Sequence, residues 1–168
     1  MNCGLMFDQA NSFYICAGLC EKELKKRPKR HDLYSTPQIV NLALACEIYL
    51  KTLLVFRDAK IGKKHKLNEL FDSLPESDKN IIDRETFRRY PFPSPFRQRK
   101  IDIEANAFVQ WRYSYEKYRI SCDVGYLEAL AKTLQEYSCK TIFNLTWEQY
   151  CQRSYITCLL YTSDAADD

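Results

Sequence analysis

Glycine is scarce in this chain, with four in 168 residues, and proline adds only six. β-Sandwiches and barrels draw heavily on such turn residues, so the composition disfavours both. Histidine is scarcer still. His31 and His65 are the only two, which limits any histidine-based chemistry. No glycine-rich phosphate loop, zinc-finger spacing or G-x-S-x-G elbow occurs. No run reaches about 18 uninterrupted apolar residues, so no membrane span is expected. The opening MNCGLMFDQ lacks a charged segment followed by an apolar one, so no secretory leader is expected and the expected location is cytoplasmic.

What remains is long, periodic and apolar. Hydrophobic residues make up 46% of the chain. That length is one domain by default, large enough to bury roughly two-thirds of its unfolded surface. The expected fold is all-α, an up-and-down bundle of five to six helices with one proline-rich loop. Of eight cysteines, the seven that precede residue 158 are scattered on apolar helical faces, as buried thiols in a reducing compartment are. Cys16 and Cys20 share a face at i, i+4, but no second pair with ligand spacing accompanies them, so no metal is expected.

The last eleven residues, CLLYTSDAADD, resemble the translated read-through of a sequencing-library adapter. The expectation is a single domain over 1–157 that continues beyond the fragment, with 158–168 not native. Without Asp164, Asp167 and Asp168, acids fall from 22 to 19 against 25 basic residues, and the formal charge rises from +3 to +6. A basic balance favours polyanionic partners such as nucleic acid.

Periodicity predicts a first helix over Phe7–Lys25, stopped at Pro28. Ser35 or Thr36 is placed to cap a second, with Pro37 at its first position. From Ile39 to Phe56 apolar residues cover most of the circumference, which marks a helix central to its bundle. A loop from Asp58 to Lys64 precedes a short helix over His65–Ser73, and another follows over Ser77–Arg88. Pro91, Pro93 and Pro95 make Arg89–Lys100 irregular. A helix is expected over Asp102–Tyr118, then one capped by Asp123. Thr146-Trp147-Glu148-Gln149 has capping-box form and starts another.

Candidate chemistry falls on a few side chains. Glu47 and Lys51, at i, i+4, pair within the oily second helix. They are either a structural clasp or the polar floor of a cleft, because a buried charge must be neutralised. His65 either caps or packs at the start of the short helix, the reading its neighbours favour, or serves as an acid or base. Arg112 shares a face with Phe108 and Trp111 and should point inward to a carboxylate, Glu47 or Glu116. Glu47, Lys51 and Arg112 would then form a polar core. The alternative is that Arg112 binds phosphate. Candidate catalytic residues are therefore Arg112, Glu116, Glu47 and His65. Lys63, Lys64, Arg88, Arg89, Arg97 and Arg99, interleaved with Tyr90, Phe92 and Phe96, have the mix of cations and rings that holds single-stranded nucleic acid.

The run PQIVNLALACEIYLKTLL, followed after a loop by HKLNELFDSLP, resembles the HEPN superfamily (higher eukaryotes and prokaryotes nucleotide-binding). The later WRYSYE is similar to a run in some prokaryotic members. The resemblance covers about residues 7 to 137. It implies an all-α bundle, commonly dimeric, that binds RNA, nucleotide or a partner protein in prokaryotic defence or toxin–antitoxin systems, without cofactor or metal. Many members are metal-independent endoribonucleases whose signature is Arg, about four to six residues, then His. Here Arg27 and His31 are separated by three residues, and Arg57 and His65 by seven. The family's catalytic pair therefore does not carry over. Three expectations follow: a binding module, an endoribonuclease with a divergent site, and a purely structural dimerisation bundle.

Overall fold

A computed structural model describes residues 2–27, 31–59, 61–91, 99–116 and 121–153, and the side chains of all of these but His31, Asp32 and Glu116. Among the described residues the protein is an all-α helical bundle. The helices are α1 (Cys3–Lys26), α2 (His31–Phe56), α3 (Leu67–Asp72), α4 (Glu76–Arg89), α5 (Lys100–Ile103), α6 (Ala107–Arg112) and α7 (Val124–Ser138). A 3-10 turn spans Ser114–Glu116, a π-helical turn extends α7 over Cys139–Phe143, and an eighth helix, α8, covers 147–153.

The helix α1 begins at Asn2, whose side chain accepts from the N–H groups of Gly4 and Leu5 at 2.8 and 3.2 Å. It runs antiparallel to α2: Phe7 stacks obliquely on Tyr49, with ring centroids 5.7 Å apart. Along α2, Leu42, Ala45, Cys46, Tyr49, Leu50 and Leu53 are all buried. Each large side chain there contributes roughly 1.5–3 kcal/mol by leaving water. By length and composition Leu33–Phe56 could cross a membrane, but 61% of its apolar window is buried inside the bundle, as in the core helix of a globular protein. The α7 helix packs across α2, and α4 packs against α7.

Polar ties cross this core. Tyr49 Oη donates to Asn11 Oδ1 at 2.6 Å, and Gln135 Nε2 donates to the same oxygen at 2.8 Å. One amide oxygen thereby joins α1, α2 and α7. Asp78, at the start of α4, is buried and accepts from Arg57 Nε at 3.0 Å, Arg57 Nη2 at 2.9 Å and Tyr137 Oη at 2.9 Å. That carboxylate locks the end of α2 to α4 and α7.

Several boundaries differ from the sequence reading. The α2 helix starts at His31, so Pro37 sits inside it rather than at its first position. The helix expected over Asp102–Tyr118 is divided. After α5 the chain turns at 104–106, where the Ala105 carbonyl accepts from Leu67 N–H at 3.1 Å. The buried Glu104 side chain accepts from Asp123 N–H at 3.2 Å. Groups that would have continued a helix instead satisfy donors at the starts of α3 and α7. The Asp123 cap is present, accepting from Tyr126 N–H at 3.1 Å. The capping box is present too: Thr146 N–H donates to Gln149 Oε1 at 2.9 Å, and Gln149 N–H to Thr146 Oγ1 at 3.3 Å. Most of the proline-rich loop, and the last fifteen residues, lie outside the described residues.

Two substitutions test these ties. Burial pushes the Asp123 carboxyl up. Lys100 Nζ at 2.8 Å and the Tyr126 N–H outweigh burial, and hold it below its ordinary 3.8. A carboxyl depressed in the folded state stabilises above its unfolded value, and that contribution fades as pH falls through the folded one. Asp123→Ala should cost about 1 kcal/mol in urea unfolding at pH 7, and its deficit against the parent protein should shrink below pH 3.8. A deficit constant from pH 7 to pH 3 would contradict this assignment. Asp78→Ala should cost about 2–3 kcal/mol, because it strands Arg57 and the Tyr137 hydroxyl. An unchanged urea midpoint would show that the clamp carries no stability.

Candidate functional site

Glu47 lies deep on α2, its side chain 5% exposed. Its Oε1 accepts from Lys51 Nζ at 2.7 Å, one turn further along the same helix. The same oxygen lies 2.9 Å from His65 Nδ1. The link from α2 to α3 turns back after Phe56 and carries His65 over the Glu47 carboxylate. A carboxylate only accepts, so Nδ1 carries the proton and Nε2 is left as the acceptor of the ring. The His65 side chain is 60% exposed. A buried carboxylate thus orients a largely exposed imidazole, with an ammonium beside them.

This changes the reading of His65. It does not cap α3. Lys66 occupies the cap position without a side-chain bond, and the first N–H of α3 is taken by Ala105. Glu47 and Lys51 do pair, and His65 is their third member. Glu47 Oε2 is buried and has no hydrogen-bond partner among the described residues. A carboxylate oxygen held in that state destabilises the fold.

The inward placement of Arg112 is corrected. Its side chain is exposed, and its guanidinium lies over the rings of Phe108 and Tyr113, 5.8 and 5.4 Å from their centroids. Trp111 is the residue that packs against the core, with its indole N–H buried and unpaired among the described residues. Phe108, Trp111 and Arg112 all lie within α6, where Phe108 and Trp111 pack against the core and Arg112, the last residue of the helix, is exposed. Glu116 belongs to the 3-10 turn, and its side chain lies outside the described set. Arg112 therefore does not complete the polar core; His65 does.

The basic residues separate into two kinds. Arg99 is engaged with Asp72 at 2.5 and 2.9 Å and with Asp102 at 3.0 and 3.2 Å. Its hydrogen bond holds the Asp72 carboxyl below the usual range. Arg89 pairs with Glu136, and Arg88 Nε lies 2.9 Å from Glu85. These three guanidinium groups are neutralised in place. Lys64 donates to Ser73 Oγ at 2.9 Å without meeting an acid, and Lys63 is exposed. Arg97 lies outside the described residues. Of the five candidate nucleic-acid-binding cations that are described, the two left without an acid partner, Lys63 and Lys64, lie on the loop that carries His65.

A second feature was not anticipated. An open cleft of about 520 Å³ lies between the start of α1, the end of α2 and the following loop, lined by Met6, Lys51, Val55, Asp58, Ala59 and Ile61 among others. Asp58 has φ 53°, in the left-handed region, where the helix ends with Ala59 N–H bonded to Leu54 O at 2.9 Å. Glycine is the usual occupant of such a helix end. Aspartate tolerates that conformation better than most residues, so nothing in the sequence marked the cleft. Among the described residues no group of three or more His, Cys, Asp or Glu is arranged to hold a metal ion.

The Glu47–His65 contact fixes a tautomer, and ring nitrogen NMR reads it. In the parent protein His65 should be the Nδ1–H tautomer. Glu47→Leu should leave the urea midpoint equal or higher, since it removes a half-satisfied buried acid, while Lys51 can extend to water. In that variant the ring should move toward Nε2–H. An unchanged tautomer would mean that the carboxylate does not hold the ring.

No family model, curated protein or solved structure matches this chain.

Proposed function

We propose that this chain is a HEPN-like helical module that binds single-stranded RNA at the surface around His65, in the cytoplasm of a prokaryote and in a defence or toxin–antitoxin setting. The observation that carries the proposal is the His65 ring, fixed at Nδ1 by buried Glu47 and exposed on its other side. Lys63 and Lys64 supply positive charge beside it without meeting an acid among the described residues, while Lys51 is paired with Glu47, and Arg88, Arg89 and Arg99 are engaged with acids. RNA phosphates bind such a cluster by releasing counterions, and an oriented imidazole adds a donor or acceptor of fixed direction.

The same pair favours a second reading, a metal-independent endoribonuclease. With Nδ1–H on Glu47, His65 Nε2 can take the proton of a ribose 2′-hydroxyl. The 2′-oxygen then attacks the adjacent phosphorus, and the 5′-oxygen leaves with a proton from water. The products are a 2′,3′-cyclic phosphate and a 5′-hydroxyl. Glu47 stabilises the imidazolium formed, and Lys51 faces the phosphate charge. The Arg-then-His signature plays no part in this route.

Binding is tested with a fluorescent single-stranded RNA in chelator, over a salt series. The logarithm of affinity should fall linearly with the logarithm of salt. Lys63→Ala should flatten that slope by about 0.7, the value for one phosphate contact on a single strand. His65→Ala should weaken binding about tenfold with the fold intact, since the ring is mostly exposed. No salt-dependent binding would defeat the RNA reading. Cleavage in chelator that His65→Ala abolishes would establish the enzyme over the binding module.

A further inference from the structure

The cleft at the end of α2 adjoins the Glu47–Lys51–His65 cluster through one shared side chain. Lys51 Nζ rests on Glu47 Oε1 and also lines the cleft. The volume, about 520 Å³, is within the usual range for small-molecule sites. Its apolar walls are Met6, Val55, Ala59 and Ile61, flat enough in chemistry to take the face of a ring. Lys51 and Asp58 are the charged residues among its described lining. The two carry opposite sign, so an occupant should be anionic at one end and rich in donors at the other.

Asp58 is the more telling of the two. Its carboxylate makes no hydrogen bond or ion pair among the described residues. Its backbone is held at φ 53°, in the left-handed region that glycine adopts most easily and that aspartate enters more readily than most other residues. The helix end would be better served by glycine. An exposed, unpaired carboxylate on the rim of a cleft is open to donors from outside the fold.

We propose that this cleft is a nucleobase subsite for guanine within a bound RNA strand, with Asp58 reading the base and Lys51 meeting its phosphate. The proposal rests on the RNA reading above and adds the base. A carboxylate offers two parallel acceptors. Guanine presents two adjacent donors, N1–H and the N2 amino group, on its Watson–Crick edge, and matches both. Adenine and cytosine present one amino donor beside an acceptor, and uracil one imino donor between two acceptors. The apolar walls give the ring a stacking surface that water does not compete for.

The experiment uses the full chain and four fluorescent RNA strands in chelator: an oligouridine, and the same strand with one central guanine, inosine or adenine. Inosine keeps N1–H and lacks the N2 amino group. The guanine strand should bind about tenfold tighter than the adenine strand, with inosine between them. Asp58→Asn, which tolerates the same backbone, should erase the difference while leaving salt-dependent oligouridine binding. Val55→Phe, which fills the cleft, should do the same. Asp58→Gly should raise the melting temperature and lose the preference. Equal affinities across the four strands would overturn the guanine subsite while the RNA reading stands. A preference that survives Asp58→Asn would overturn the role of Asp58. If oligouridine shows no salt-dependent binding and guanine adds none, both the subsite and the RNA reading fall.

Discussion

A helix that is apolar on nearly every side must be surrounded, and the structure is organised around meeting that need for α2. The α1 helix covers one side along its length, α7 crosses another, and α3 and α6 close the rest. Each covering helix is short or amphipathic and has little reason to fold alone. Their order in space follows from the surface α2 offers. The polar ties reinforce this arrangement. Asn11 Oδ1 holds α1 and α7 to Tyr49, and Asp78 holds α4 and α7 to the end of α2.

An acid inside such a helix is the costliest feature of the fold. Glu47 is met on one oxygen by the Lys51 ammonium and the His65 ring N–H, while its other oxygen stays unpaired among the described residues. Replacing it with an apolar residue would relieve that penalty, so stability alone does not account for it. The gain goes to His65. A ring with 60% of its surface in water would otherwise sample both tautomers and many orientations, and the buried carboxylate removes that freedom. Rigidity of the core is thereby transferred to one exposed side chain.

How much of this was legible in the sequence depends on the range of the interactions. Caps are local, so Asp123 and Thr146 were readable from residues within one turn. The centrality of α2 was readable from its composition. Pro37 misled because capping logic looks only at neighbours, whereas Asn41 Nδ2 donates to the Pro37 carbonyl at 2.8 Å from inside a helix already under way. The break at 104–106 was illegible. It exists because Ala105 and Glu104 serve Leu67 and Asp123, far along the chain. Arg112 falls at the last residue of the short α6 that follows, where it is exposed. Glu47 and His65 were each visible as candidates, but only the return of the chain after Phe56 brings them to 2.9 Å.

Charge illustrates the same point more sharply. Counting basic residues spread the cationic surface over 63–64, 88–89 and 97–99, yet a count cannot distinguish a free guanidinium from a neutralised one. Arg57, Arg89 and Arg99 all end on carboxylates that tie helices together, and those charges belong to the fold. Such pairs are weakly attractive to a polyanion, since displacing their acid partners would loosen the bundle. The lysines near His65 carry less of that structural duty. Lys63 is exposed, and Lys64 meets only a hydroxyl. Two cations without acid partners among the described residues therefore stand next to the oriented imidazole in the chain. Scaffold and candidate site thus divide these basic residues between them: Arg57, Arg89 and Arg99 hold the helices, and Lys63 and Lys64 are free of that duty.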